Sequence, residues 1–170
     1  QTIFERLSLK GSVELIVSRT GHGVAYRHGY TLLPLATVFV PRILWPDKPE
    51  IEVGRLVTRD FMIADSDNLY TSPSHLGELY WNFGWPGVLI GMALTGLLLG
   101  YTGACCDLSA AVTLTRVLIV MVTLQELIIS AESTLAAPYS VWLRSVVAIG
   151  LAQLLLRRAS RRVSTASTGA

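Results

Sequence analysis

PGVLIGMALTGLLLGYTGACC, residues 86–106, contains no charged side chain. A helix of this length, rising about 1.5 Å per residue, crosses the hydrocarbon core of a bilayer, which is about 30 Å thick. Pro86 suits the first turn of such a helix, where its missing N–H costs nothing. Gly87/Gly91 and Gly96/Gly100 form two G-x-x-x-G pairs, a spacing that lets membrane helices approach closely. Outward from this stretch, a second apolar run covers 113–131 and a third covers 138–156. Arg157, Arg158, Arg161 and Arg162 follow the third directly. The excess of Lys and Arg on cytoplasmic flanks places this end inside. The turn at 131–138 is then outside, the turn at 107–112 inside, and everything before Trp85 outside. Trp81, Phe83, Trp85, Tyr139 and Trp142 would form an aromatic belt at the outer interface.

Composition agrees with a membrane setting. Of the 170 residues, 51% are hydrophobic and 15% charged, against about 25% charged in a soluble domain. Mean hydropathy is +0.49, and the net charge of +2 carries no polyanion signature. Disordered chains, nucleic-acid binders and ordinary cytosolic enzymes are excluded on these grounds. The charges lie mostly in the first half: residues 1–85 hold 8 Lys/Arg and 9 Asp/Glu, and residues 86–170 hold 6 and 3. The expected architecture is an all-α integral membrane protein. Residues 1–85 form a loop region with interfacial or re-entrant helices, 86–156 three transmembrane helices, and 157–170 a basic cytoplasmic tail. The first residue is Gln1 and no signal peptide is visible, so the chain reads as part of a longer membrane protein.

Within the first half, Ile3 to Ser18 suits an amphipathic helix lying on the membrane. Residues 30–45 (YTLLPLATVFVPRILW) are apolar but too short to span, and Pro34 and Pro41 interrupt them, which points to a re-entrant or interfacial segment. Residues 46–74 are polar and rich in turn formers and read as an exposed loop. The Ser/Thr-rich last seven residues read as disordered. Cys105 and Cys106 are adjacent, a spacing that suits neither a mutual disulfide nor a metal site.

Two clusters can carry chemistry. In Pro41–Pro49 (PRILWPDKP), three prolines stiffen a backbone that holds Arg42, Trp45, Asp47 and Lys48. Rigid cations beside an aromatic face suit a ligand with phosphate and sugar parts. A proline-rich turn with solvated charges satisfies the same spacing. In residues 72–86 (SPSHLGELYWNFGWP), a helix over 74–83 would set His75, Glu78, Leu79 and Asn82 on one face. An imidazole, a carboxylate and an amide so arranged could position and deprotonate a sugar hydroxyl; a solvated polar face is the alternative. Glu126 and Arg144 both lie nine residues from position 135, so an antiparallel hairpin brings them to similar depth, where an ion pair would neutralise them. His22 and His28 fix no metal geometry. No G-x-G-x-x-G, Walker A, G-x-S-x-G or H-E-x-x-H pattern is present.

At these residues the sequence resembles a known family. FVPRILWPDKPE (Phe39 to Glu50) resembles the P-R-x-L-W-P-x-K-P motif of bacterial oligosaccharide repeat-unit polymerases, the Wzy-like O-antigen and exopolysaccharide polymerases. HLGELYWNFGWPG (His75 to Gly87) resembles that family's Glu-, Tyr-, Asn- and Gly-containing segment before a membrane helix, and RHGY (Arg27 to Tyr30) a shorter upstream segment. The likeness covers roughly residues 20–105.

The resemblance implies the C-terminal part of a multi-pass bacterial inner-membrane protein with a GT-C-like glycosyltransferase bundle and a periplasmic loop region before residue 86. It implies a lipid-linked oligosaccharide substrate, joined by glycosyl transfer from undecaprenyl diphosphate. Membrane lipid, a chain-length regulator and a flippase are the expected partners, with no nucleic acid, no cofactor and no metal. Arg42 and Lys48 would hold the diphosphate. Trp45 would stack on a sugar, Glu78 would be the general base with His75 second, and Asn82 would position the acceptor. Arg27 and Tyr80 complete the substrate-binding set. An O-antigen ligase-like transferase, and a non-catalytic membrane subunit or exporter, are the competing expectations.

Overall fold

A computed structural model describes residues 9–40, 43–48, 51–61, 63, 70–106 and 113–167. Its helices are α1 (Leu9–Arg19), α2 (Leu33–Ala36, preceded by a 3-10 turn at Tyr30–Leu32), α3 (Val53–Asp60), α4 (Ser74–Cys105), α5 (Leu114–Thr123) and α6 (Ala136–Ser167). A π turn (Leu124–Ile128) and a 3-10 turn (Ile129–Glu132) prolong α5. Among the described residues there is no β-strand, only an isolated bridge between Thr20 and Val24. Three stretches are long and apolar enough to cross a membrane: one within α4, Leu114–Glu132, and Ala136–Leu156. Their flanks are largely bare, with Leu89, Leu97, Tyr101, Met121, Ile129 and Leu151 all exposed, as lipid-facing surfaces require.

The sequence at 84–86 breaks α4. Gly84 has φ +67° and ψ −157°, a conformation essentially open only to glycine. Pro86, two residues on, has no N–H to continue the earlier helix. Residues 74–83 therefore fold back against the start of the apolar helix at 85–105. Leu79 and Phe83 occupy the space beside Gly87 and Gly91, whereas Gly96 and Gly100 have nothing within 4 Å. The first G-x-x-x-G pair thus receives the chain's own preceding helix, and the second faces outward.

The first core cluster is Ile16, Val53, Val57, Phe61 and Trp81. Val53, Val57 and Phe61 recur every fourth residue and form the inner stripe of α3. Ile16 brings α1 onto residues 74–83, its δ carbon 3.0 Å from where a Gly77 Cβ would sit. The second cluster joins Leu79 and Val88 of α4 to Leu127, Leu135 and Tyr139.

Several expectations are corrected. Residues 46–74 are not an exposed loop throughout: α3 lies within them, with Val53, Gly54, Val57 and Thr58 buried. α1 is not a free surface helix, since Ile16 is fully covered; residues 1–8 lie outside the described part. Trp81 belongs to the core rather than to an aromatic belt, packed edge-on against Phe61 at 5.3 Å, and Tyr139 is buried too. Of the apolar segment at 30–45, residues 30–40 and 43–45 form a 3-10 turn, α2 and further turns, a form compatible with a re-entrant or interfacial segment. α6 continues past 156 to Ser167, so residues 164–167 of the Ser/Thr-rich end are helical; residues 168–170 lie outside the described part. Glu126 and Arg144 do not pair: Arg144 Nε donates to the Ser140 carbonyl at 3.2 Å, and Glu126 sits in the π turn. Equal depth sets the height of two side chains, not the direction in which they point.

Candidate functional site

Residues 74–83 carry the candidate site. Ser74 has φ +58°, and its Oγ accepts the Gly77 N–H at 3.3 Å, as a helix-capping hydroxyl does. The three-and-four-residue spacing then brings His75, Glu78 and Asn82 to one side, and all three are buried. The site lies at the end of the apolar helices, level with the connection between α5 and α6. Ser72 Oγ donates to the Glu132 carbonyl at 2.6 Å, and the Leu135 N–H donates to Glu78 Oε2 at 2.6 Å. The apolar part of α4 begins beyond the break, so these groups sit outside it.

Glu78 is 0% exposed. Its Oε1 has no hydrogen-bond partner. Burial pushes the carboxyl up to about 7, while the Leu135 N–H and the Thr31 hydroxyl pull it down. A carboxyl so placed exchanges a proton near neutral pH, the range in which an acid–base group works best. Burial also pushes the His75 imidazole down from its ordinary value, against the Thr134 backbone, which pulls it up. The His75 ring stands edge-on to Tyr139 at 5.5 Å, and its Nε2 is buried without a partner.

Asn82 is the hub. Its Nδ2 donates to Thr31 Oγ1 at 2.7 Å and to the Glu78 carbonyl at 2.8 Å, and its Oδ1 accepts the Gly29 N–H at 2.8 Å. The Arg27 and His28 N–H groups donate to the carbonyls of Trp81 and Asn82. The segment Arg27–Tyr30 is thereby sewn onto residues 78–82, so two of the three segments singled out in the sequence are neighbours. Gly29, with φ +87°, lets the chain turn there at no steric cost.

The other candidates fare differently. Arg27 hydrogen-bonds to Asp60 and lies over the Trp81 ring at 5.1 Å, so it ties α3 to α4. Tyr80 is half-buried and packs edge-on against Trp85 at 5.3 Å. Lys48 Nζ donates to the Thr37 carbonyl at 2.6 Å and to the Val40 carbonyl at 3.4 Å, closing the loop on its own backbone. Trp45 and Asp47 are exposed. Arg42 lies outside the described residues. Among the described residues no group of three or more His, Cys, Asp or Glu is placed to hold a metal ion.

Thr31 and Leu135 are the members that the sequence did not mark. Thr31 is 0% exposed, and the one available signal was a hydroxyl inside an otherwise apolar run. Leu135 contributes only its backbone, which no side-chain pattern announces. Comparisons of the chain with protein-family models, with curated proteins and with solved structures return no match.

Proposed function

We propose that this chain is the C-terminal part of a bacterial inner-membrane glycosyltransferase that polymerises undecaprenyl-diphosphate-linked oligosaccharide repeat units at the periplasmic face. The observation that carries the reading is Glu78: a carboxyl at the edge of an apolar helical assembly, held through Oε2, with Oε1 unpaired and a pKa of about 7. The motif resemblance at 39–50 and 75–87 supplies the substrate class.

In this reading Glu78 takes the proton of an acceptor sugar hydroxyl. The freed oxygen attacks the anomeric carbon of the donor, and the bond from that carbon to the diphosphate oxygen breaks. The leaving diphosphate carries away the electron pair and is held by Arg42, with the Lys48 charge close by along the loop. Asn82 keeps the Arg27–Thr31 segment against the base. Because Glu78 is fully covered, a covering segment moves aside before the acceptor arrives.

A second reading, a non-catalytic membrane subunit, is favoured by the Leu135 N–H bond to Glu78 Oε2, which can be a structural pin alone. Glu78→Gln separates the two, because the amide oxygen keeps that bond and loses only the proton chemistry. The measurement is the surface-glycan ladder of a strain whose full-length gene carries Glu78→Gln, with membrane levels of the protein checked alongside. The transferase reading expects single repeats at normal protein level. A normal ladder removes Glu78 from the chemistry and leaves the pin.

A further inference from the structure

The loop after α2 leaves large apolar side chains bare. Phe39, Val40 and Trp45 are exposed, Ile43 is 91% exposed and Leu44 77%. A patch of this kind marks contact with a partner or a membrane.

The place of the loop decides between the two. α2 packs against α6, and Leu32 and Leu35 lie on the core cluster of Val88, Leu127 and Tyr139, beside Leu98 and Trp142. Val88, Leu98 and Trp142 belong to the membrane-crossing stretches. The loop therefore leaves from the side of the apolar helices, and its bare residues continue their lipid-facing surface.

The backbone suits the same setting. A turn in lipid must satisfy its carbonyls from within the chain, because no water is present to do so. The Thr37 N–H and hydroxyl both donate to the Leu33 carbonyl, and the hydroxyl reaches the Pro34 carbonyl at 3.4 Å. The Val40 N–H donates to the Thr37 carbonyl at 3.0 Å. Lys48 Nζ donates to the Thr37 and Val40 carbonyls, and the Lys48 N–H to the Trp45 carbonyl at 3.2 Å. Lys48 thus closes the base of the loop and leaves the apolar side chains at its tip.

We propose that Phe39, Val40, Ile43, Leu44 and Trp45 form an apolar tip that enters the acyl layer of the bilayer on the side where Glu78 lies, with Lys48 at the level of the headgroups. The tip anchors the loop without spanning. The inference rests on the membrane helices and not on glycosyl transfer, and its test reads depth rather than glycan.

The full chain, with Cys105→Ala and Cys106→Ala, is given a single cysteine, labelled with the fluorophore NBD and placed in phosphatidylcholine nanodiscs. Quenching by a nitroxide on the upper acyl chain is compared with quenching by aqueous iodide. Leu89→Cys, on a bare flank of α4, is the lipid reference, and Arg59→Cys, on α3, the aqueous one. The nitroxide-to-iodide ratio at Leu44→Cys is expected within about twofold of the lipid reference and at least about tenfold above the aqueous one. At Phe39→Cys the ratio should fall at least about fivefold when Ile43→Asp and Leu44→Asp are added, because carboxylates are costly in the acyl layer. Ile43 and Leu44 are bare, so these changes leave the core intact. Three results would each overturn the proposal. A ratio at Leu44→Cys equal to the aqueous reference puts the tip in water. A probe reached by neither quencher puts it under protein. A ratio at Phe39→Cys unmoved by the aspartates denies that the tip holds the loop.

Discussion

Gly87→Ala should destabilise the protein while Gly96→Ala should not, although both glycines belong to G-x-x-x-G pairs on the same helix. A Cβ at position 87 would lie 2.5 Å from the Phe83 Cβ and 2.9 Å from the Leu79 carbonyl oxygen. Neither atom can leave by a change of rotamer, so the fold-back of residues 74–83 must open. Overpacking of this kind costs about 2 kcal/mol. At position 96 a Cβ meets nothing within 4 Å, and replacing glycine in a helix with alanine gains up to about 1 kcal/mol. Gly91→Ala falls between them, because its clash at 2.6 Å is with the rotatable δ carbons of Leu79. The assay is unfolding of the detergent-solubilised protein by a denaturing detergent, followed by tryptophan fluorescence; Trp81 and Trp85 flank the break. Equal stability of Gly87→Ala and wild type, or equal loss in Gly96→Ala, would refute the fold-back.

Glu78 makes stability depend on pH. Its folded pKa is raised from 4.5 to about 7, so the folded state binds the extra proton. Stability is greatest below pH 4.5, falls by about 3 kcal/mol as pH rises to 7, and then levels off; thermal unfolding from pH 4 to 8 should show that slope in wild type and lose it in Glu78→Gln. Arg27→Ala removes both the Asp60 partner and the cation over Trp81, and should cost about 2 kcal/mol. A double-mutant cycle with Asp60→Asn should give about 1 kcal/mol of coupling, and additive losses would deny the pair. Lys48→Met frees the Thr37 and Val40 carbonyls; limited proteolysis within 37–48 should quicken while the unfolding midpoint stays within about 1 kcal/mol of wild type.

The apolar runs were legible because length and hydropathy alone define them, and the α4 break was signalled by glycine and proline at 84–86. The shared face of His75, Glu78 and Asn82 followed from helical spacing. Helix α3 was hidden: Arg55, Arg59 and Asp60 dominate its composition, and only Val53, Val57 and Phe61 carry the apolar repeat. Trp81 was misplaced because an aromatic near a membrane helix has the same sequence signature whether it faces lipid or core. The missed members of the site, Thr31 and the Leu135 N–H, lie 51 and 57 residues from their partners Asn82 and Glu78, and no local pattern encodes such distances.

The bond between Leu135 and Glu78 also fixes an order of assembly. During synthesis the acceptor emerges first, and two apolar helices, 85–105 and Leu114–Glu132, must be inserted before its donor exists. Until then residues 74–83 hold a carboxylate at the membrane edge with no seat for it. The bond therefore joins the start of α4 to the connection that follows two apolar stretches, and Glu78 is covered only when all the chain up to Leu135 is in place.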